Sequence, residues 1–228
     1  LDRLNSRRKI TPLKIKKKEM NKIVVAVFMT AIPLLTSCKK ETKEKETLRY
    51  QLQVDSSYAE WKGYLRTGYF NEGSIQVKSE AVEVTDGIVS GGTFIMPLYT
   101  LKNFNLPTDS LKEQLIHHLM SSDFFDMLLY PELTFRIASV QSMDTKPGHS
   151  VDSANFLVKG DFSMLGKALQ IDFPAKIHVE NGQLSIEAKL KIDRTKWGMV
   201  YATQSDLEDE EFIMPEVDIA ISLKGKSF

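Results

Sequence analysis

The chain has 228 residues, enough for one sizeable domain or two small ones. With 42% hydrophobic and 26% charged residues it is ordinary for a globular protein, which excludes a disordered chain and a multi-span membrane protein. Its 30 Lys and Arg balance 30 Asp and Glu, but residues 1–37 carry nine basic and two acidic side chains and residues 38–228 carry 21 and 28, an acidic body ill suited to nucleic acid, while the single cysteine, Cys38, excludes an intramolecular disulfide or a Cys-cluster metal site.

Residues 1–19 precede Met20, where a well-formed signal begins, and are read as an upstream segment outside the mature protein. Lys22 supplies a basic start, and Ile23 to Leu35 is an apolar run of 13 residues. That is the length of a signal-peptide core, whereas a spanning helix needs about 20 residues. The following Leu35-Thr36-Ser37-Cys38 resembles the lipobox of bacterial lipoproteins. That resemblance implies a signal peptide over 20–37, cleavage at Ser37–Cys38, and membrane attachment through a lipidated Cys38. The alternative is a buried free thiol behind an ordinary signal. Lys39 to Glu46 contains no apolar residue, so 38–47 is read as a charged, solvated tether. Lys39, in place of Asp, points to the outer membrane by the enterobacterial sorting rule.

From residue 48 to 228 the pattern is that of strands. Leu133, Phe135 and Ile137 alternate with polar or small neighbours. So do Leu169, Ile171 and Phe173; Leu184, Ile186, Ala188, Leu190 and Ile192; and Val217, Ile219, Ile221 and Leu223. Period-2 alternation gives each strand one apolar and one wet face. Asp86-Gly87, Leu165-Gly166-Lys167 and Asn181-Gly182 are turn signals, the last a strong type I′ hairpin signal. About eight strands at hairpin spacing predict an all-β sandwich or barrel. One segment differs: Ser110 and Glu113 form a capping-box pattern, and Leu111, Leu115 and Leu119 recur at helical spacing. A second helical turn is expected at 123–129, ended by Pro131.

Three stretches carry a family resemblance. His118-Leu119-Met120-Ser121-Ser122-Asp123-Phe124-Phe125-Asp126, followed by Tyr130-Pro131 and Phe135, resembles the HL-x-S-x-DFFD…YP…F signature of the YceI-like family. Val158-x-Gly160-x-Phe162-Ser163-Met164-Leu165-Gly166-Lys167 is similar to the family's V-x-G-x-L-T-I-x-G-K hairpin, and Ile192 to Gly198 (IDRTKWG) to its I-x-R-x-x-[FW]-G strand. Together they span roughly 50–225. The resemblance implies a lipocalin-like eight-stranded antiparallel β-barrel with a short helical insertion. It also implies an elongated apolar cavity that holds a polyisoprenoid such as a quinone or a prenyl phosphate, in the cell envelope. Two stretches depart from the family pattern: Asn71-Glu72-Gly73, where a His-x-Gly is usual, and Pro97 to Leu101.

Small inward residues would leave room for such a chain, with Gly91, Gly92, Ala138 and Ala188 as candidates. Each buried isoprene unit is worth about 3 kcal/mol at most, from ~0.8 kcal/mol per CH₂, so the tail alone could supply affinity. Phe124, Phe125, Tyr130 and Phe135 either line the cavity or plug the barrel end. Arg194 either meets a ligand head group or pairs with an aspartate such as Asp123 or Asp126. Trp197 is either a stacking platform or packing. His118 is a further candidate contact, but with His117 beside it on a helix it makes a poor metal pair. No metal site is expected. Neither a G-x-S-x-G elbow nor an H-E-x-x-H motif occurs, so no enzyme is expected. The reading is a non-catalytic envelope lipoprotein that binds, stores or carries a polyisoprenoid or similar apolar chain, with no cofactor unless such a lipid or quinone is counted. Its oligomeric state stays open, a dimer being one option. The alternative is a packed barrel whose surface binds another envelope protein.

Overall fold

Three two-residue turns set the register of the sheet. Asp86 and Gly87 (φ 53° and 78°), Leu165 and Gly166 (51° and 71°) and Asn181 and Gly182 (51° and 71°) all take left-handed backbone angles. Two consecutive positive φ values define the type I′ turn, whose twist matches that of the flanking strands. They join β4 (Lys78–Thr85) to β5 (Ile88–Pro97), β8 (Phe156–Met164) to β9 (Lys167–Glu180), and β9 to β10 (Gln183–Asp193). The remaining elements are β1 (Thr47–Leu52), β2 (Tyr58–Leu65), β3 (Phe70–Gln76), β6 (Lys102–Asn103), α1 (Asp109–Met120), β7 (Glu132–Ser142) and β11 (Ile213–Ser227). This computed structural model describes residues 45–144, 151 and 153–228. The signal segment, Cys38 and most of the tether lie outside the described residues.

The strands follow the order β1-β4-β5-β7-β8-β9-β10-β11, and β11 pairs back onto β1, closing an eight-stranded ring. Every pairing is antiparallel. β1 and β2 form one bent staircase: β11 pairs with β2 from Ile213 to Ser222 and with β1 from Gly225 to Ser227. Ser57 holds the bend. Its hydroxyl donates to the Lys224 carbonyl and accepts from the Lys224 amide, both at 3.1 Å, while its own carbonyl accepts from Val77 N–H at 2.9 Å where β3 passes into β4. This is the all-β fold that the strand pattern predicts, and the lipocalin-like eight-stranded barrel that the family resemblance implies.

β5 leaves the barrel at Pro97, which would strand the outer edge of β3 without partners, a costly state for backbone groups. Short β6 pairs with Gly73 and Ser74, and side chains finish the edge. Asn103 Nδ2 donates to Glu72 O, Asn105 Oδ1 accepts from Glu72 N–H, and Asn105 Nδ2 donates to Phe70 O, at 2.9–3.1 Å.

The helical insertion forms as expected, with a different cap: the Thr108 hydroxyl accepts from Leu111 N–H at 3.3 Å, the geometry of an N-cap three residues before its donor. Ser110 lies inside the helix. The expected second helical turn at 123–129 is instead a run of hydrogen-bonded turns, with Asp126 at φ 45° and its carbonyl accepting from Leu129 and Tyr130 N–H.

Gly160 shows why the sequence carries glycine in a strand. A Cβ there would meet the Arg136 backbone carbonyl and sit 2.5 Å from the Phe135 ring, both on the neighbouring strand β7. Gly160→Val is expected to cost about 1–3 kcal/mol by overpacking, read as a lowered urea midpoint; a neutral effect would show that the β7 backbone at Arg136 yields together with the Phe135 ring.

Candidate functional site: an apolar cavity inside the barrel

Inward positions of β2, β11 and β10 fall into register as layers. Trp61 faces Ile219, which faces Leu190; Gly63 faces Val217, which faces Ile192. These side chains, with Ile75, Phe94, Met96, Phe135, Ile171 and Phe173 from the other strands, surround an apolar cavity of ≈ 250 Å³. One end of the barrel is packed: Val89, Val158, Ile177, Ile186 and Leu223 line the cavity there and are themselves buried. Leu65, Tyr69, Leu115 and Leu119 line it towards the end that carries α1.

The room comes from Gly63. A Cβ added at Gly63 meets nothing within 4 Å, although the residue points into the cavity between large neighbours. The small residues singled out from sequence do not supply the space. Gly91 packs against the Glu83 side chain on the outer face, and a Cβ at Gly92 (φ 146°) would meet the backbone of β4. Ala138 falls on the outer face by simple alternation with Ile137, which lines the cavity. Ala188 does point inward but is sealed opposite Ala175, and neither lines the cavity.

The lining carries little polarity. Glu60 and Arg194 are its only charged members; Glu60 is exposed on the outer face. Asn71 and Trp61 face each other diagonally across the β2–β3 pair, since Trp61 is opposite Gly73 and Gly63 opposite Asn71. The Trp61 ring fits over Gly73, where a Cβ would lie 2.8 Å from its Cζ2. Trp61 Nε1 and Asn71 Oδ1 are both shut off from water and have no hydrogen-bond partner. The alternation of Ala59, Trp61, Gly63 and Leu65 was the signal that could have marked this wall in advance.

The three motif stretches gather at the α1 end, where they close the barrel. Arg194, 3% exposed, follows β10 in a 3₁₀ turn (Arg194–Trp197) capped by Asp193, whose carboxylate accepts from Thr195 N–H at 3.0 Å. Its guanidinium donates to four carbonyls: Met199 (2.8 Å), Tyr201 (2.9 Å), Ile213 (3.1 Å) and Met214 (3.4 Å). One side chain therefore ties together both ends of the 199–214 loop. The expected partner Asp123 or Asp126 is replaced by backbone, because the fixed fork of donors matches carbonyls converging from two strands of the loop. Burial pushes the guanidinium below its ordinary pKa, yet an arginine stays charged.

Of the other candidates, Phe124, Phe125 and Phe135 line the cavity, whereas Tyr130, Trp197 and His118 do not. The Trp197 indole donates to Phe162 O at 3.1 Å and stacks edge-on against the Phe162 ring, so it is packing. Tyr130 covers Gly166, its ring 2.8 Å from where a Cβ would stand. His118 bonds Asp123 at 3.0 Å and packs edge-on against Phe124 and Tyr201, joining the helical insertion to the Arg194 loop. Among the described residues no group of three or more His, Cys, Asp or Glu side chains could hold a metal ion.

The fold has solved counterparts. A structure from Burkholderia cenocepacia, BcnA, is 15% identical with a TM-score of 0.57, covering 76% of this chain and 98% of its own. A polyisoprenoid-binding domain from Saccharophagus degradans, implicated in plant cell wall breakdown, is 11% identical with the same TM-score, covering 79% and 99%. At such identities the likeness is one of fold. No curated protein matches the chain. Residues 50–225, however, match the YceI-like domain, the span over which the barrel closes and its three motif stretches converge, and the chain thus belongs to the YceI-like family.

Proposed function

We propose that this protein is a non-catalytic carrier of a polyisoprenoid or similarly long apolar chain, held in the barrel and kept in the cell envelope by a lipidated Cys38. The observation that carries the reading is the ≈ 250 Å³ cavity with its nearly unbroken apolar wall. A packed barrel acting only through its surface would have closed that space, and a polar ligand would find almost no partner in it. The Saccharophagus degradans domain, with the same fold, is described as polyisoprenoid binding, which favours this class of cargo. The lining offers shape and dispersion rather than a nucleophile or an acid–base pair, so it suits storage or transfer.

Mass spectrometry of organic extracts from protein purified without detergent from its native host tests the cargo. A stoichiometric prenyl lipid is expected; an empty protein that also refuses added prenyl chains would overturn the reading. The anchor is tested separately by growth in labelled fatty acid. Label is expected on the wild-type protein and absent from Cys38→Ala, and label retained by the variant would rule out attachment at Cys38.

A further inference from the structure

We propose that the α1 end of the barrel is a docking rim for a lipid bilayer, and that this bilayer is a second one, not the one that holds Cys38. The inference rests on the chain-carrying reading and the Cys38 anchor above, and names the surface with which the cavity exchanges its cargo.

Apolar side chains surround the way out of the cavity. Tyr69, in the β2–β3 turn, lines the cavity and yet is 51% exposed. Leu115 and Leu119 line it from α1, and Leu111, one turn earlier on the same helical stripe, stands in water. Leu128 and Leu129 are the barest, 93% and 69% exposed. They are held there by backbone: the Asp126 carbonyl accepts from Leu129 and Tyr130 N–H, and Met127 N–H donates to Met120 O, at 2.9–3.0 Å. Val200 and Tyr201 are exposed on the 199–214 loop, the Tyr201 ring 5.2 Å from that of Phe124 in the cavity wall. Single exposed apolar residues are ordinary, but a group that continues a cavity wall outward marks a binding surface. Leucine and tyrosine seat well in the interfacial layer of a bilayer. A chain leaving the cavity there passes from protein wall to hydrocarbon without crossing water.

Charge argues for insertion rather than attraction. Asp206 and Glu208 to Glu211 are exposed on the loop that carries Tyr201, so an anionic headgroup layer repels this end and a zwitterionic one accepts it.

The place where the chain enters the barrel decides which bilayer is met. β1 starts with Thr47 opposite Thr85, and Lys45 pairs with Asp86 at 2.9 Å, beside the β4–β5 turn at the packed end. From that turn β5 runs to Pro97 at the α1 end, roughly 30 Å along the strand and about 23 Å along the barrel axis. Cys38 lies seven residues before Lys45, a reach of about 25 Å at full extension. That spans the barrel wall with almost nothing left for the loops beyond Pro97. A bilayer seated under the rim is therefore out of reach of the anchor, and a separate one satisfies both.

The test uses protein purified from its host envelope and reconstituted through its own lipid into sucrose-filled phosphatidylcholine vesicles. These are mixed with fluorescent, protein-free phosphatidylcholine vesicles and sedimented. Capture of the fluorescent vesicles is expected. Leu128→Ser with Leu129→Ser should weaken capture on the order of a hundredfold, since each leucine kept out of the bilayer costs about tenfold or more. That variant should take up a fluorescent polyene and unfold in urea as the wild type does, because neither leucine lines the cavity or lies in the core. Acceptor vesicles rich in phosphatidylglycerol should be captured less. No capture, capture undiminished in the variant, capture that requires anionic lipid, or clustering of the carrier vesicles with one another through paired barrels overturns the docking inference and leaves chain binding standing. Protein that does not enter the vesicles overturns the anchor and, with it, the assignment to a second bilayer. Failure of the wild type to take up the polyene overturns chain binding itself.

Discussion

Replacing Gly63 by phenylalanine is expected to abolish lipid loading while making the protein harder to unfold. The position has open space around a new Cβ and faces Val217 and Asn71 across its two neighbouring strands, so a benzyl group projects into the cavity without displacing backbone. Glycine inside a strand costs about 0.5–1 kcal/mol relative to alanine, and burying a phenylalanine side chain adds roughly 1.5–3 kcal/mol. The variant should therefore gain stability by filling the volume a ligand would use. Gly63→Ala and Gly63→Leu make a graded series. Co-purified lipid should fall stepwise with side-chain size as the urea midpoint rises. Undiminished loading of Gly63→Phe would place the ligand elsewhere, whatever happened to stability.

Arg194→Met should act in the opposite sense, with a loss of about 3–5 kcal/mol, since four carbonyls forfeit a charged donor together. For a domain of this size each kcal/mol shifts the melting temperature by roughly 2–4 °C, so a fall on the order of 10 °C is expected. Arg194→Lys should recover only a minor part, because an ammonium has three donors and no planar fork to reach carbonyls at both ends of the 199–214 loop. Denaturation with tryptophan emission as the probe reads both variants, Trp197 lying three residues from the substituted side chain. A loss below about 1 kcal/mol for Arg194→Met would mean the loop is held by its other contacts, such as the Ile213 N–H bond to Ala202 O at 2.8 Å, worth about 1 kcal/mol by itself.

Much of this molecule can be read from its residues, and the misses have separate causes. Strand β10 alternates Leu184, Ile186, Ala188, Leu190 and Ile192 inward along its whole paired length, because nothing interrupts its pleat. The Asn181-Gly182 turn forms as its chemistry dictates. Ala138 fails as an inward residue because it alternates with Leu133, Phe135 and Ile137 and so falls on the outer face, a placement that the period-2 pattern already contains. Helix α1 is capped by Thr108 rather than Ser110, since either hydroxyl can cap and residue type alone does not choose between them. The motif residues Arg194 and Trp197 stand out in the sequence, yet they close the end of the barrel, and of the cavity lining the motifs mark Phe124, Phe125 and Phe135 but not Trp61 or Gly63. Arg194 is unusual there because its partners are backbone carbonyls, which carry no sequence signature.

The bent pairing of β11 with β10, β1 and β2 has a bearing on how the protein is made. The Ser57–Lys224 bonds join positions 167 residues apart, and contacts of such separation slow folding because a long loop must close before they repay its entropy. A ribosome delivers β1 and β2 first, and their outer edge waits until β11 has emerged. The nascent chain thus passes through a long interval as an open sheet with two free edges, an interval in which a chaperone can take hold of it before the ring shuts.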